Sequence, residues 1–154
     1  MWYYNKKQIN GLADLPLHEG PIGFVYKITH LESRKFYIGR KVLITRRKAR
    51  ISATEKKKTG TRKTFKLIEK ESNWMVYYGS CDQLNSDVKS MGATSFKREI
   101  LELCCSKKYM NYCEVYWQMK LDVLRANSYN GNVLGKYYQK DMDNCKPVVL
   151  VTTS

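Results

Sequence analysis

Residues 23–41 read GFVYKITHLESRKFYIGRK. Two segments rich in β-branched and aromatic residues, GFVYKIT (23–29) and RKFYIGR (34–40), flank a short polar break, and this pattern predicts a β-hairpin. A loop centred between Leu31 and Glu32 sets Tyr26 opposite Tyr37, Phe24 opposite Gly39 and Ile28 opposite Lys35. Directly opposed residues share a face with Cβ atoms about 5 Å apart, so this register brings two phenols out side by side. Gly39 leaves the backbone open to close approach, and the cations Arg40 and Lys41 follow at once. Tyrosine pairs also stabilise antiparallel sheets with no chemistry attached, so the rest of the chain has to decide what the pair is for.

Charge is the first guide. The 154 residues carry 28 Lys and Arg against 14 Asp and Glu, a net charge of +14. Residues 40–70 alone hold thirteen of those cations and two acids, Glu55 and Glu69. A cationic stretch this dense fits a polyanion, because each Lys or Arg set against a phosphate releases condensed counterions. The candidate nucleic-acid contacts are Arg40, Lys41, Arg46, Lys48, Arg50, Lys56, Lys57, Lys58, Arg62 and Lys63. Hydrophobic content of 43% and charged content of 27% predict a globular domain. No run of about 18 apolar residues and no leader-like start is present, so no membrane partner is expected. The five cysteines contain no C-x-x-C pair and neither His18 nor His30 is near them in sequence, which argues against a structural zinc site. They read as thiols of a reducing, cytoplasmic setting.

The organisation expected is an N-terminal arm (1–21), a domain (22–135) with a basic insertion at about 48–72, and a tail (136–154) packing back through VVLV. KVLITRRKAR (41–50) is read as the start of a helix, against the weight of its β-branched residues. Leu84, Val88 and Met91 recur at helical spacing with Gly92 placed as a C-cap. SFKREILELCC (95–105) reads as a strand, and NYCEVYWQMKLDVLRAN (111–127) as a helix ahead of the turn-like SYNGN. YYGS (77–80) echoes the second half of the hairpin but lacks a partner strand, and is read as packing and turn.

GFVY followed by FYIG resembles the signature of the GIY-YIG nuclease family, with Val25-Tyr26 in the first motif and Tyr37-Ile38-Gly39 reading YIG outright. The likeness covers roughly residues 22–132 and is closest to compact, phage-encoded, free-standing enzymes of the homing-endonuclease kind. It implies an α+β fold, a small three-stranded antiparallel sheet flanked by helices. It also implies a metal-dependent DNA endonuclease whose site holds Tyr26, Tyr37, an arginine, Glu114 as metal ligand and Asn130. The first motif departs from the family pattern, with Gly23 one place early, and the arginine is open among Arg40, Arg46, Arg47 and Arg50, with Arg47 favoured.

That residue set suits phosphodiester hydrolysis. Glu114 is a hard oxygen donor for one Mg²⁺ or Mn²⁺, a cation that keeps waters and takes phosphate oxygens. A phenol near pKa 10 is a weak base unless nearby cations favour its phenolate, and Arg40, Lys41 and Arg47 are expected to supply that field. An arginine fork stabilises charge on the phosphoryl oxygens. Asn130 would hold a phenol or the phosphate, although Asn before Gly is also a common turn residue. The rival readings are a non-catalytic, basic nucleic-acid-binding protein and a structure-selective nuclease for branched DNA or RNA. With no separate reading domain evident, specificity is left to the domain itself, to a homodimer or to a protein partner.

Overall fold

The computed structural model describes residues 1–143. In chain order its elements are β1 (Trp2–Tyr4), β2 (Lys7–Ile9), β3 (Gly23–His30), β4 (Phe36–Val42), β5 (Ile44–Arg50), α1 (Ala53–Thr59), β6 (Phe65–Glu71), α2 (Asp82–Met91), β7 (Phe96–Cys104), α3 (Lys107–Lys120), β8 (Asn132–Val133), β9 (Tyr137–Tyr138) and α4 (Gln139–Asp143). The central sheet has the order β2-β1-β7-β3-β4. The α+β class expected from the sequence is therefore present, with five strands in the sheet rather than three. The antiparallel trio β7-β3-β4 is extended by the segment expected to be an arm, since β1 pairs in parallel with β7 and β2 folds back on β1. Trp2 explains the extension: its indole is fully buried against Phe24 and Tyr26 and donates to the Trp74 carbonyl at 2.9 Å.

The sheet separates two apolar clusters. Alternate residues of β3 point to opposite faces. Phe24, Tyr26 and Ile28 join Trp2, Leu43, Trp74 and Leu84 on one side, while Val25 joins Ile38, Cys104, Met110 and Cys113 on the other, against α3. Helix α2 ends on Gly92 at φ 88°, as its periodicity predicts. Helix α3 begins at residue 107, because Ser106 caps it by accepting from the Tyr109 N–H. It stops at residue 120, short of the expected 127, and Asp122 at φ 48° turns the chain away. Val123 and Leu124 are buried beyond the helix rather than within it.

Residues 41–50 form no helix. After β4 the chain passes through buried Leu43 into β5, which pairs with β6 as a separate two-stranded ribbon. Thr45 and the β-branched run favour extended backbone, and the partner strand lies about twenty residues on, where local pattern does not reach. Both faces of the ribbon are largely in solvent, and α1 caps its far end, started by Ser52 accepting from the Glu55 N–H. The apolar VVLV expected to pack back on the core lies outside the described residues. Among the described residues no helix is long and apolar enough to cross a membrane.

Candidate active site

The hairpin forms, but its loop is centred one residue later than expected. His30 N–H donates to the Lys35 carbonyl, Arg34 N–H donates to the His30 carbonyl, and Arg34 takes φ 60° to close the turn. The His30 imidazole and the Ser33 hydroxyl, 2.7 Å apart, brace the loop from within. Tyr26 consequently faces Gly39, and Tyr37 faces Ile28. A shift of two positions in register preserves the face of every side chain. Both phenols therefore still emerge on one side, now diagonally, with ring centroids 6.1 Å apart.

The glycine between them has a specific use. A Cβ on Gly39 would lie 2.6 Å from the Tyr26 hydroxyl and 2.7 Å from Cε1 of Tyr37, so both rings lean over bare backbone. Gly79, at φ 92°, backs the same rings from the segment following β6, where a Cβ would meet Cε1 of Tyr37 at 3.0 Å. That segment is the YYGS echo. Its packing and its turn at Gly79 are made against the phenols, and Tyr77 and Ser80 line a cleft of about 300 Å³ together with Tyr26, Tyr37, Arg40, Lys41 and Glu114. Tyr37 and Ser80 share a hydrogen bond of 3.2 Å, and the Tyr26 and Tyr77 rings meet edge-on with centroids 6.2 Å apart. Arg98, buried and stacked on Trp2 and Tyr78, holds the segment by donating to the Met75 and Tyr77 carbonyls at 2.9 and 3.0 Å. The sequence signal for this wall was the resemblance of YYGS to the motif it now faces.

Because β4 is the outermost strand of the sheet, side chains from its two faces meet around its edge. Tyr37, Gly39 and Lys41 lie on the phenol side, and Arg40 lies on the α3 side. There Arg40 Nε donates to Glu114 Oε2 at 2.7 Å. A second cleft, of about 470 Å³ and also lined by Tyr37, Arg40, Ser80 and Glu114, continues toward residues 129–135. A separate apolar hollow of about 410 Å³ at the base of the ribbon, between Leu17, Val42 and Ile44, contains neither phenols nor acids.

Asn130 has a different environment from the one expected. Its side-chain oxygen accepts from the Ile38 N–H at 2.9 Å and its amide donates to the Ile38 carbonyl at 2.8 Å. An edge strand exposes unpaired backbone groups, and this one side chain satisfies both groups of the central YIG residue. Flanking contacts continue the seal: Phe36 N–H donates to the Asn127 carbonyl and Tyr129 N–H to the Phe36 carbonyl. Asn130 thus fixes the strand that presents Tyr37 and Gly39, and its polar atoms are spent on backbone.

The arginines separate clearly. Arg40 enters the cleft. Arg47 lies in the ribbon opposite Ile68, Arg46 pairs with Glu69 at 2.6 Å, and Arg50 faces Phe65. These three, with Lys48, Lys56, Lys57, Lys58, Arg62 and Lys63, belong to the ribbon and its cap, away from the phenols. Lys41 turns inward, donating to Asn73 Oδ1 at 2.7 Å with its ammonium 3.8 Å from the centre of the Tyr77 ring.

The cationic field expected to favour a phenolate is outweighed by burial. Tyr26 is 1% exposed, and burial first, then Tyr37 and Tyr77, holds its phenol well above the ordinary value. Burial raises Tyr37 as well, with the Ser80 hydrogen bond opposing it. Burial likewise pushes the Cys104 thiol up to about 12, with Cys113 and Glu102 adding to the effect. The folded chain keeps protons on these groups that the unfolded chain gives up, so stability is complete below the ordinary thiol value and declines as pH rises through the folded values. Thermal midpoints should fall from about pH 9 upward, and Tyr26→Phe, which has no phenol to ionise there, should fall less steeply. Equal midpoints at about pH 8 and about pH 11 would contradict this.

Among the described residues no group of three or more His, Cys, Asp or Glu converges. A cation in this cleft would therefore rest on the Glu114 carboxylate, whose Oε1 is left over from the Arg40 contact. One carboxylate with waters and phosphate oxygens is a donor set that Mg²⁺ accepts. The four cysteines within the described residues are free thiols, with Cys104 and Cys113 buried and Cys105 exposed.

Comparison with known proteins agrees with this geometry. The family described as "Putative endonuclease segE, GIY-YIG domain" matches residues 2–142. No curated protein and no solved structure matches the chain. A match over nearly the whole chain, including β1 and the ribbon, together with a YIG glycine roofed by two phenols, means that the chain belongs to the GIY-YIG endonuclease family.

Proposed function

We propose that the protein is a metal-dependent DNA endonuclease that hydrolyses phosphodiester bonds at the edge of β4. The observation that supports this best is the convergence of Tyr26 of β3, Tyr37 and Arg40 of β4 and Glu114 of α3 on one polar cleft at the edge of β4. Glu114 would hold one Mg²⁺ or Mn²⁺, which when bound supplies Lewis-acid stabilisation of charge on the phosphoryl oxygens. Arg40, rather than Arg47, is the arginine for the scissile phosphate. Its guanidinium is in the cleft and can exchange a carboxylate for a phosphate oxygen through the same N–H donors.

The phenols handle the attacking water as neutral groups. Tyr37 is the phenol placed to do this: its oxygen accepts the water's proton as its own proton passes to the Ser80 hydroxyl, which in turn gives up its proton to solvent water in the open cleft. No standing phenolate is required, which fits the raised values of both groups. Asn130 and Arg98 are positioning residues, the first through Ile38 and the second through the 75–77 backbone. The test is cleavage of plasmid and branched duplexes with Mg²⁺ by wild type, Glu114→Ala and Tyr26→Phe. Cleavage by wild type alone is expected, and DNA binding without cleavage by all three would leave a non-catalytic binding protein.

The ribbon and its cap supply the grip on the DNA backbone. Deleting residues 55–63 removes Lys56, Lys57, Lys58, Arg62 and Lys63 from a solvent-facing end and leaves the central sheet untouched. The slope of log affinity against log salt should flatten by about 0.9 for each DNA phosphate left without its cation. Fluorescence anisotropy at several salt concentrations measures it, and an unchanged slope would remove the ribbon from the interface.

A further inference from the structure

Helix α3 carries a second feature that the cleavage chemistry does not use. Tyr109, Tyr112 and Tyr116 stand in a row on its outer face, 46%, 66% and 43% exposed. Successive ring centroids are 6.5 Å apart in both steps, with interplanar angles of 22° and 18°. Residues three and four apart on a helix are neighbours, so the row follows from the spacing 109, 112, 116. It is also held in place. Tyr109 donates its hydroxyl to Glu102, which also accepts from Trp117 Nε1 at 3.0 Å, and Lys120 lies over the Tyr116 and Trp117 rings at 5.4 and 4.7 Å.

Three near-parallel rings with open faces are costly to leave in water and offer little to a duplex, whose base faces are hidden in its stack. Their repeat of 6.5 Å is about twice the ~3.4 Å rise per nucleotide of a duplex strand. It suits bases that are separated along an extended strand. Lys108 and Lys120 flank the row on the same helix, in a chain of net charge +14, and the one carboxylate beside it, Glu102, is taken up by Tyr109 and Trp117. Glu114, the helix's sole acid, projects from the far side, since about 100° per residue puts it nearly opposite Tyr116 and Tyr112. One helix about 10–12 Å across thus separates the cleft from the ladder, a distance a few nucleotides can span.

We infer that the Tyr109–Tyr112–Tyr116 ladder is a stacking platform for unpaired bases of a single-stranded DNA segment continuous with the strand in the cleft. The inference rests on the nuclease reading and narrows its substrate to DNA with an unpaired or splayed region, such as a fork, flap or branch. Base–aromatic stacking with a cationic surround binds single strands without reading sequence. This is a substrate preference the cleft by itself does not provide.

Binding without cleavage tests it, using full-length protein in EDTA and fluorescently labelled oligonucleotides of equal length: an unpaired oligo(dT), its abasic counterpart and a duplex. Wild type should bind oligo(dT) more tightly than the abasic strand. Tyr112→Ala should weaken oligo(dT) binding about tenfold and leave duplex binding unchanged, and Tyr112→Phe should retain the wild-type affinity. Tyr112 is the most exposed of the three, so its truncation leaves the core intact. Equal affinity for oligo(dT) and the abasic strand, or no effect of Tyr112→Ala, would overturn the platform. A change in sedimentation of Tyr112→Ala with oligo(dT) binding unchanged would make the ladder a protein–protein contact instead. None of these outcomes touches the plasmid result for Glu114→Ala, so the ladder and the nuclease reading fail separately.

Discussion

Glu114→Gln should lower cleavage by on the order of 10³-fold while DNA affinity at fixed salt stays near that of wild type. The size follows from what the carboxylate is asked to do. A cation bound there is worth several kcal/mol of transition-state stabilisation, and about 4 kcal/mol corresponds to three decades in rate. The amide keeps the shape of the side chain and can still accept from Arg40, so the fold is not at stake. The Arg40–Glu114 pair is partly open to solvent, with side chains 44% and 22% exposed, and pairs of that kind contribute about 0–1 kcal/mol. A variant that bound DNA normally and cut within about tenfold of wild type would remove Glu114 from the chemistry.

The second large effect is expected from a single methyl group. Gly39→Ala places a carbon 2.6 Å from the Tyr26 hydroxyl and 2.7 Å from Tyr37, and neither ring can simply retreat. Tyr26 is locked by edge-on contacts with Trp2, Phe24 and Tyr77, and Tyr37 is backed by Gly79. Overpacking of this sort costs about 1–3 kcal/mol of stability. On the proposed mechanism, displacing the phenols by about 1 Å should cost on the order of 10²-fold in rate, so activity should suffer more than folding. Thermal denaturation and single-turnover cleavage measured on the same preparation separate the two losses. An unchanged rate in a folded Gly39→Ala protein would mean that the phenols do not touch the reacting atoms.

Much of this site could be read from the chain, for identifiable reasons. The two phenols were found on one face because strand parity survives a register error of two. Their opposition was misplaced because the loop is set by Ser33 against His30 and by Arg34 at positive φ, none of which the hydrophobic pattern records. Helix α2 and strand β7 carry their own periodicity, and both stand where it put them. The ribbon was not legible, since a charged strand with both faces in water has no apolar rhythm to betray it. Favouring Arg47 depended on reading a helix across 41–50; as a strand, the same residues turn Arg47 into the ribbon and leave Arg40 beside Glu114. Trp2 and Arg98 were missed because long-range packing alone brings them to the site, Trp2 against Tyr26 and Arg98 against the 75–77 backbone.

The seal on β4 also has a temporal side. The motif tyrosines lie within the first forty residues, but the strand carrying the second of them is clasped by residues 127–130, almost a hundred positions later. A chain emerging from the ribosome N-terminus first exhibits the phenols long before it can hold them, and until Asn130 arrives the outer edge of β4 is open to other strands. A partly synthesised chain would thus lack a fixed cutting centre while exposing an adhesive edge. The contact that covers this edge against its neighbours is the same contact that sets Tyr37 and Gly39 in place.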